Sequence, residues 1–397
     1  MVVRRTPGAC AGSHFGAGLR AYVLYQHHQC HVTQPLLREP LLEWGIDVSV
    51  GQIDALLSGH TEGFFAEKDQ LLEVRLEVSS SITVDDSGAR HPGRSGHVTH
   101  IGNDFFAWFS STESKSRINF LRLLQAGEPF YSLNEEAQAY WRAPGLPQAL
   151  CQRLMASPIL ELTTTPNWEA HLQTLGITQE RHQRIATEGA LLGGVLAKGL
   201  SRELVIVSDG AGQFAILLHA LCWVHAERLI HTLIPLNARH REDQQRVRAE
   251  LWALYADLKA YRCDPDPDPE AVAGLRARFE RLFTQKTSWA TLNALLKRLK
   301  THQEELLLVL WRPDIPLHTN GSENDIRGYV KWRKISGGTR SDLGRRCRDT
   351  FASLKKTCRK LGISFWGYLN DRIGQVGAIP PLPEIVRQRT LAAKGVP

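Results

Sequence analysis

Leu204-Val205-Ile206-Val207-Ser208-Asp209-Gly210 runs four apolar residues into a serine, an acid and a glycine. A short unbroken apolar run ended by turn residues reads as a strand buried on both faces, the habit of α/β sheets. An acid at its end costs sheet packing unless that end of the sheet is exposed. Upstream, Ser81-Ile82-Thr83-Val84-Asp85 alternates, with Ile82 and Val84 on one face and Thr83 and Asp85 on the other. It too closes on an acid. Asp86 competes with Asp85, but alternation sends the two to opposite faces, so only one of them points at a shared site. His97–Ile101 and Phe105–Ser110 read as a hairpin around Asn103-Asp104.

Around these strands the chain reads as helical. Leu19–Gln29 is a first helix. Thr33 and Gln34 before Pro35 open a second, with Leu36, Leu37, Leu41, Leu42 and Trp44 as its apolar positions. Ser49 caps a third, short one. These form an N-terminal segment, 1–75, compatible with a helix-turn-helix or an ordinary helical hairpin. Ser116–Leu124 and Glu188–Leu200 also read as helices, the second weakened by its glycines. Residues 125–185 give no clear pattern. Phe214–Leu233 is apolar enough for one buried helix. Beyond it Val247, Leu251, Leu254, Leu258 and Tyr261 recur every three or four residues. Val272, Leu275, Phe279 and Leu282 do the same, as do Leu292, Leu295, Leu296 and Leu299. A stiff acidic connector, Asp264 to Pro269, separates the first two of these helices. Helices continue through 322–373, and 379–397 is a tail.

The 397 residues are 43% apolar and 22% charged, which supports a sizeable core and excludes global disorder. The net charge of +7 is unevenly spread. Residues 321–360 hold twelve Lys and Arg against four Asp and Glu, so the rest of the chain is near neutral. Such a stretch points to a polyanion, most simply nucleic acid, and Tyr329 and Trp332 lie among its cations. Seven cysteines, an odd count without a Cys-x-x-Cys, fit neither a disulfide scaffold nor a zinc ribbon. No apolar core of a signal peptide follows Met1–Arg5. The longest uncharged apolar stretch, Phe214–Ala226, is too short to span a bilayer. A soluble protein of a reducing compartment is the expectation. No Gly-x-x-x-x-Gly-Lys-Ser/Thr loop occurs, so no nucleotide cofactor is expected. Gly210, Gly212 and Ala215 fit a looser dinucleotide pattern, but no second strand with a closing acid follows in what reads as helix.

A third acid stands out in His318-Thr319-Asn320-Gly321-Ser322-Glu323-Asn324-Asp325-Ile326-Arg327, a loop entering a helix. Acids from two strand ends and one helix start suit hard divalent cations, which keep waters and phosphate oxygens as their other ligands. Two such ions activate an attacking oxygen and stabilise the leaving oxygen of a phosphodiester. The order strand-Asp, hairpin, helix, strand-Asp, helical block, helix-Glu fits an RNase H-like nucleotidyltransferase core.

Val84-Asp85-Asp86-Ser87-Gly88 resembles the first-Asp motif of bacterial insertion-sequence transposases of the DDE class. Val207-Ser208-Asp209-Gly210-Ala211-Gly212-Gln213-Phe214 resembles their second, and Cys222-Trp223-Val224-His225-Ala226-Glu227-Arg228 the Cys-Trp-x-His-x-x-Arg segment after it. Asn320 to Arg327, with Lys331, Arg333, Lys334 and Gly337-Gly338-Thr339, resembles the Glu-bearing third motif. The closest type is the insertion sequence sixty-six group.

The resemblance implies an α/β fold with an RNase H-like mixed-sheet core over 76–230 and 318–378, carrying an extra segment at 125–190. An all-helical insertion domain at 231–317 interrupts it, and the N-terminal helical segment precedes it. It implies that Asp85, Asp209 and Glu323 are catalytic and hold two Mg²⁺ (or Mn²⁺) ions, supported by Cys222, His225 and Arg228. Arg327 would orient Glu323 or hold a phosphate. DNA would lie on Arg327, Lys331, Arg333, Lys334, Arg340, Arg345 and Arg346. Water would cut the DNA at the element end, and the freed 3′-hydroxyl would attack target DNA. A homo-oligomer on DNA, in the bacterial cytoplasm at the nucleoid, is implied too. The family commonly carries a coiled coil and a Cys-rich zinc-binding segment ahead of its core. Here 84 residues precede Asp85, and Cys10 and Cys30 lack that spacing. Two further readings stay open, a non-catalytic DNA-binding remnant and a stand-alone RNase H-like nuclease.

Overall fold

A computed structural model describes residues 15–264 and 268–393. They divide into two compact units. The first takes the described residues up to Ser79, Asp86–Ser201 and those from Ser322 on; the second takes Ser80–Asp85 and Arg202–Gly321.

The first unit opens with α1 (Ala17–His28), α2 (Gln34–Glu43), α3 (Val50–Ser58) and α4 (Glu62–Val78). Ser49 caps α3 as its sequence predicts. Its side chain accepts from the Gln52 N–H while its own N–H donates to the Gln52 side chain, a closed capping box. The sequence gives no sign of α4, because Glu67, Lys68 and Arg75 sit on its buried face beside Phe64, Leu71, Leu72 and Leu76. Glu67 is held there by Arg372 at 3.0 Å and by the Tyr368 hydroxyl at 2.7 Å.

β1 (Ser81–His91) runs through both units. Asp85 therefore does not close this strand. The chain continues in extended form because it turns at Pro92-Gly93 into β2 (Arg94–Gly102). β2 pairs antiparallel with β3 (Ala107–Thr112), from His97 opposite Thr112 to Gly102 opposite Ala107. This is the expected hairpin, with the Asn103 side chain accepting from the Phe105 N–H in its turn. Then come α5 (Arg117–Leu124), β4 (Tyr131–Ser132), α6 (Glu135–Arg142), α7 (Gln148–Met155), β5 (Glu161–Leu162), α8 (Thr165–Thr174) and α9 (Glu180–Ala197). Gly189 and Gly194 do not weaken α9; they let Trp141 and the Phe130 carbonyl approach closer than a Cβ would allow.

In the second unit β6 (Val205–Ser208) pairs parallel with β1, and β7 (Leu218–Leu221) parallel with β6. The whole sheet has the order β3-β2-β1-β6-β7. The expected single helix over Phe214–Leu233 does not form. A 3₁₀ turn at Gly212–Phe214, β7, and then α10 (Trp223–His231) take its place. Leu217 adopts a left-handed φ of 53°, which ends helical winding, and β7 covers the open edge of a strand whose residues are all buried. α11 (Ala238–Cys263), α12 (Pro269–Thr284), α13 (Ala290–Lys300) and α14 (Gln303–Leu306) follow. The leucine rows of α11, α12 and α13 share one apolar core with Val205, Trp223 and Ile230. Of the acidic connector, 265–267 lie outside the described residues.

α15 (Asn320–Ser336) starts at the unit boundary, and α16 (Asp342–Lys360), α17 (Phe365–Gly374) and α18 (Leu382–Ala393) complete the first unit. α16 seals β3, the edge strand. The N–H groups of Ala107, Phe109 and Ser111 donate to Thr357, Ser353 and Asp349 at 3.1, 2.9 and 2.7 Å. Two residues along a strand match four along a helix, so a polar stripe on α16 satisfies every outward N–H.

Candidate active site and basic surface

Asp209 is exposed and stands one residue past the end of β6. Its Oδ1 accepts from the Ala211 N–H at 2.9 Å, and Gly210 takes φ 95°, a value that suits glycine. The turn is anchored from below. Ile206 pairs with His219, so Ser208, two residues on, shares the face of that histidine. Ser208 Oγ lies 2.8 Å from His219 Nε2 and accepts from the Gly210 N–H at 3.1 Å. His219 Nδ1 lies 2.6 Å from Glu305, which His302 also contacts. Burial would raise the Glu305 carboxyl, but the two histidines hold it below its ordinary value. The bonding order Ser-His-Glu is that of a nucleophilic triad, yet Ser208 is fully buried, so the chain fixes a turn and attacks nothing. No spacing in the sequence signals His219 or Glu305.

Asp85 is half-buried. The parallel register pairs Thr83 with Val207, and two residues further on each chain bears its acid, Asp85 and Asp209. Both leave the β1–β6 ladder at the same level. Asp86 makes an ion pair with Lys115, with little of its side chain exposed. Two carboxylates just beyond the last β1–β6 pair suit Mg²⁺, which takes one or two carboxylates and completes its shell with water and phosphate. Among the described residues no three His, Cys, Asp or Glu side chains are gathered as a ready metal cluster.

The Cys222-to-Arg228 segment begins α10, with Cys222 as the N-cap. Its Sγ accepts from the Thr319 N–H at 3.4 Å, the Trp223 N–H donates to the Leu317 carbonyl at 3.0 Å, and the Trp223 indole donates to Leu306 at 2.9 Å. Burial pushes the Cys222 thiol up, but hydrogen bonds from His225 and Thr319 bring it below its usual value. Arg228 donates to His225 at 3.1 Å. The segment thus clamps the strand of chain that ends four residues before Glu323.

Glu323 lies in the first unit, in the first turn of α15, half-buried with Arg327 3.9 Å away. Two residues on, Asp325 is the ionic centre beneath this helix. It faces Lys360 at 3.0 Å, Lys356 at 3.3 Å and His100 at 3.4 Å. Burial alone would raise its carboxyl; the His100 hydrogen bond and both ammonium groups hold it far below the usual range.

α15 separates its residues cleanly. Ile326, Tyr329 and Trp332 are buried, while Arg327, Lys331 and Lys334 are exposed at spacings of four and three. Tyr329 and Trp332 are therefore no stacking surface among the cations: the Tyr329 hydroxyl donates to Asp349 at 2.7 Å, and Trp332 is enclosed by His27, His28 and His31. Arg333 is half-buried and Arg340 exposed. Arg345 pairs with Asp342 at 2.9 Å, and Arg346 covers the Phe65 ring.

The profile of the Transposase IS66 family matches residues 168–346, which include Asp209, the Cys222 segment and Glu323. The chain is also similar to the uncharacterized protein y4jO of Sinorhizobium fredii (strain NBRC 101917 / NGR234), 44% identical over 319 residues, 80% of this chain and 99% of that protein. No solved structure matches it. The chain belongs to the IS66 transposase family. No helix among the described residues is long and apolar enough to cross a membrane.

Proposed function

We propose that the protein is a DDE transposase that cuts DNA at the ends of an insertion sequence and joins the freed 3′ end to target DNA. The observation that carries this reading is the pair of acids, Asp85 and Asp209, each two residues beyond the last pair of the parallel β1–β6 ladder. The mixed sheet supports an RNase H-like core, with the helical block 231–317 as its insertion. Asp85, Asp209 and Glu323 are the residues that would hold Mg²⁺ or Mn²⁺. When bound, such ions supply Lewis-acid activation of the attacking oxygen and charge stabilisation at the leaving oxygen. The Ser208–His219–Glu305 chain fixes the turn that carries Asp209. The exposed row Arg327, Lys331 and Lys334 binds phosphates and carries no base readout of its own. Assembly as a homo-oligomer on DNA at the nucleoid belongs to the same reading.

The test is incubation of the chain with DNA carrying the ends of its element, with and without Mg²⁺. Metal-dependent nicking followed by joining supports a transposase. Nicking without joining supports a stand-alone nuclease, and binding without nicking supports a non-catalytic remnant.

A further inference from the structure

A cleft of about 700 Å³ opens in the first unit between α1, α15, α16 and the start of α17. Lys331, Lys355, Lys356 and Arg359 line it, and none of its lining residues is acidic. Lys356 is matched by Asp325 at 3.3 Å. Among the described residues no carboxylate pairs with Lys331, Lys355 or Arg359. Lys355 instead donates to the His28 carbonyl at 2.6 Å and lies 3.4 Å from His31 Nε2. Burial first, and then the Lys356 charge, push its ammonium down to about 8. Lys355 is the one withdrawn from water, while Lys331 and Arg359 stand exposed at the cleft. Like charges gathered at one cleft without an acid are stabilised by an arriving anion. Aromatic side chains line the cleft as well. Trp366 is 42% exposed and meets Tyr25 edge-on at 5.5 Å.

We propose that this cleft receives one unpaired nucleotide of single-stranded DNA, its phosphate on Lys331, Lys355 and Arg359 and its base against Trp366 and Tyr25. Phosphate on cations and base on an aromatic ring is the general mode of single-strand capture. The cleft has the volume of a small-ligand site. A duplex keeps its bases stacked inside and presents a convex row of phosphates, so it offers nothing to the indole. This inference deepens the DNA-processing reading and rests on it.

Fluorescence anisotropy of the full chain with a labelled oligothymidylate of about twelve nucleotides, and with a duplex of equal length, tests it. Trp366→Ala is expected to weaken single-strand binding on the order of tenfold, to leave duplex binding nearly unchanged, and to be largely rescued by Trp366→Phe. Arg359→Ala should weaken single-strand binding and lower its salt slope by about one. Unchanged single-strand affinity in Trp366→Ala, or an equal loss on the duplex, overturns the cleft while leaving the duplex reading intact. If the unmodified chain binds neither DNA, both readings fall.

Discussion

His219 Nε2 stands 2.8 Å from the buried Ser208 Oγ, and that oxygen accepts from the N–H of Gly210, on the far side of Asp209. The histidine therefore sets the turn that carries the acid without touching the acid. Partners of this kind around a metal ligand are worth about 10- to 100-fold in metal affinity. His219→Ala should raise the Mg²⁺ concentration for half-maximal nicking by about tenfold, with DNA affinity unchanged. An unaltered Mg²⁺ requirement would show that the turn holds itself.

Asp325 is expected to be structural. Removing one partner of a buried ion pair costs about 3–5 kcal/mol, because the remaining charge stays buried. Asp325→Ala leaves Lys356 and Lys360 facing each other, and the urea midpoint should fall accordingly. A loss below about 1 kcal/mol, the range of a surface pair, would contradict this.

The buried histidines make stability fall in acid. Burial holds His28 well below its ordinary value, lowers His100, and lowers His31 to about 4. Each binds a proton more readily unfolded than folded, so its contribution is complete above about pH 6.5 and is lost as the pH falls towards the native values. The melting temperature should drop between pH 7 and pH 5. His28 stacks on Phe351 at 4.2 Å, so His28→Phe keeps the packing and should flatten that dependence. An unchanged slope would place the proton uptake elsewhere.

Exposed cations on α15 should set the salt dependence of DNA binding through counterion release. Replacing Arg327, Lys331 and Lys334 by Ala should reduce the slope by about three, one per lost phosphate contact. Replacing Arg345, already paired with Asp342, should change it less. Equal effects at both places would mean a diffuse field and no binding row.

Much of the helical part is legible in the sequence, because the leucine rows of α11 to α13 repeat with the helical period and pack as one core. The Ser49 cap and the Asn103 hairpin are legible too, since both are local chemistry. β7 is not, because a continuous apolar run has no period to separate strand from helix. α4 hides because its buried face carries charges, and the partners of Glu67, Arg372 and Tyr368, are about 300 residues away in sequence. α16 reads only as basic, although its Asp349, Ser353 and Thr357 stripe closes the sheet edge. In the candidate site Asp209 is marked by its strand, whereas His219 and Glu305 meet only through the fold.

The central claim concerns Asp209, and Asp209→Asn tests it most directly by keeping size and removing the charge a Mg²⁺ ligand needs. Nicking and strand transfer should be abolished while DNA affinity stays nearly intact, since the proposed binding row is separate from the acid. Asp85→Asn should behave in the same way and Asp86→Asn more mildly, because Asp86 pairs with Lys115. Retained Mg²⁺-dependent cleavage in Asp209→Asn would contradict the assignment.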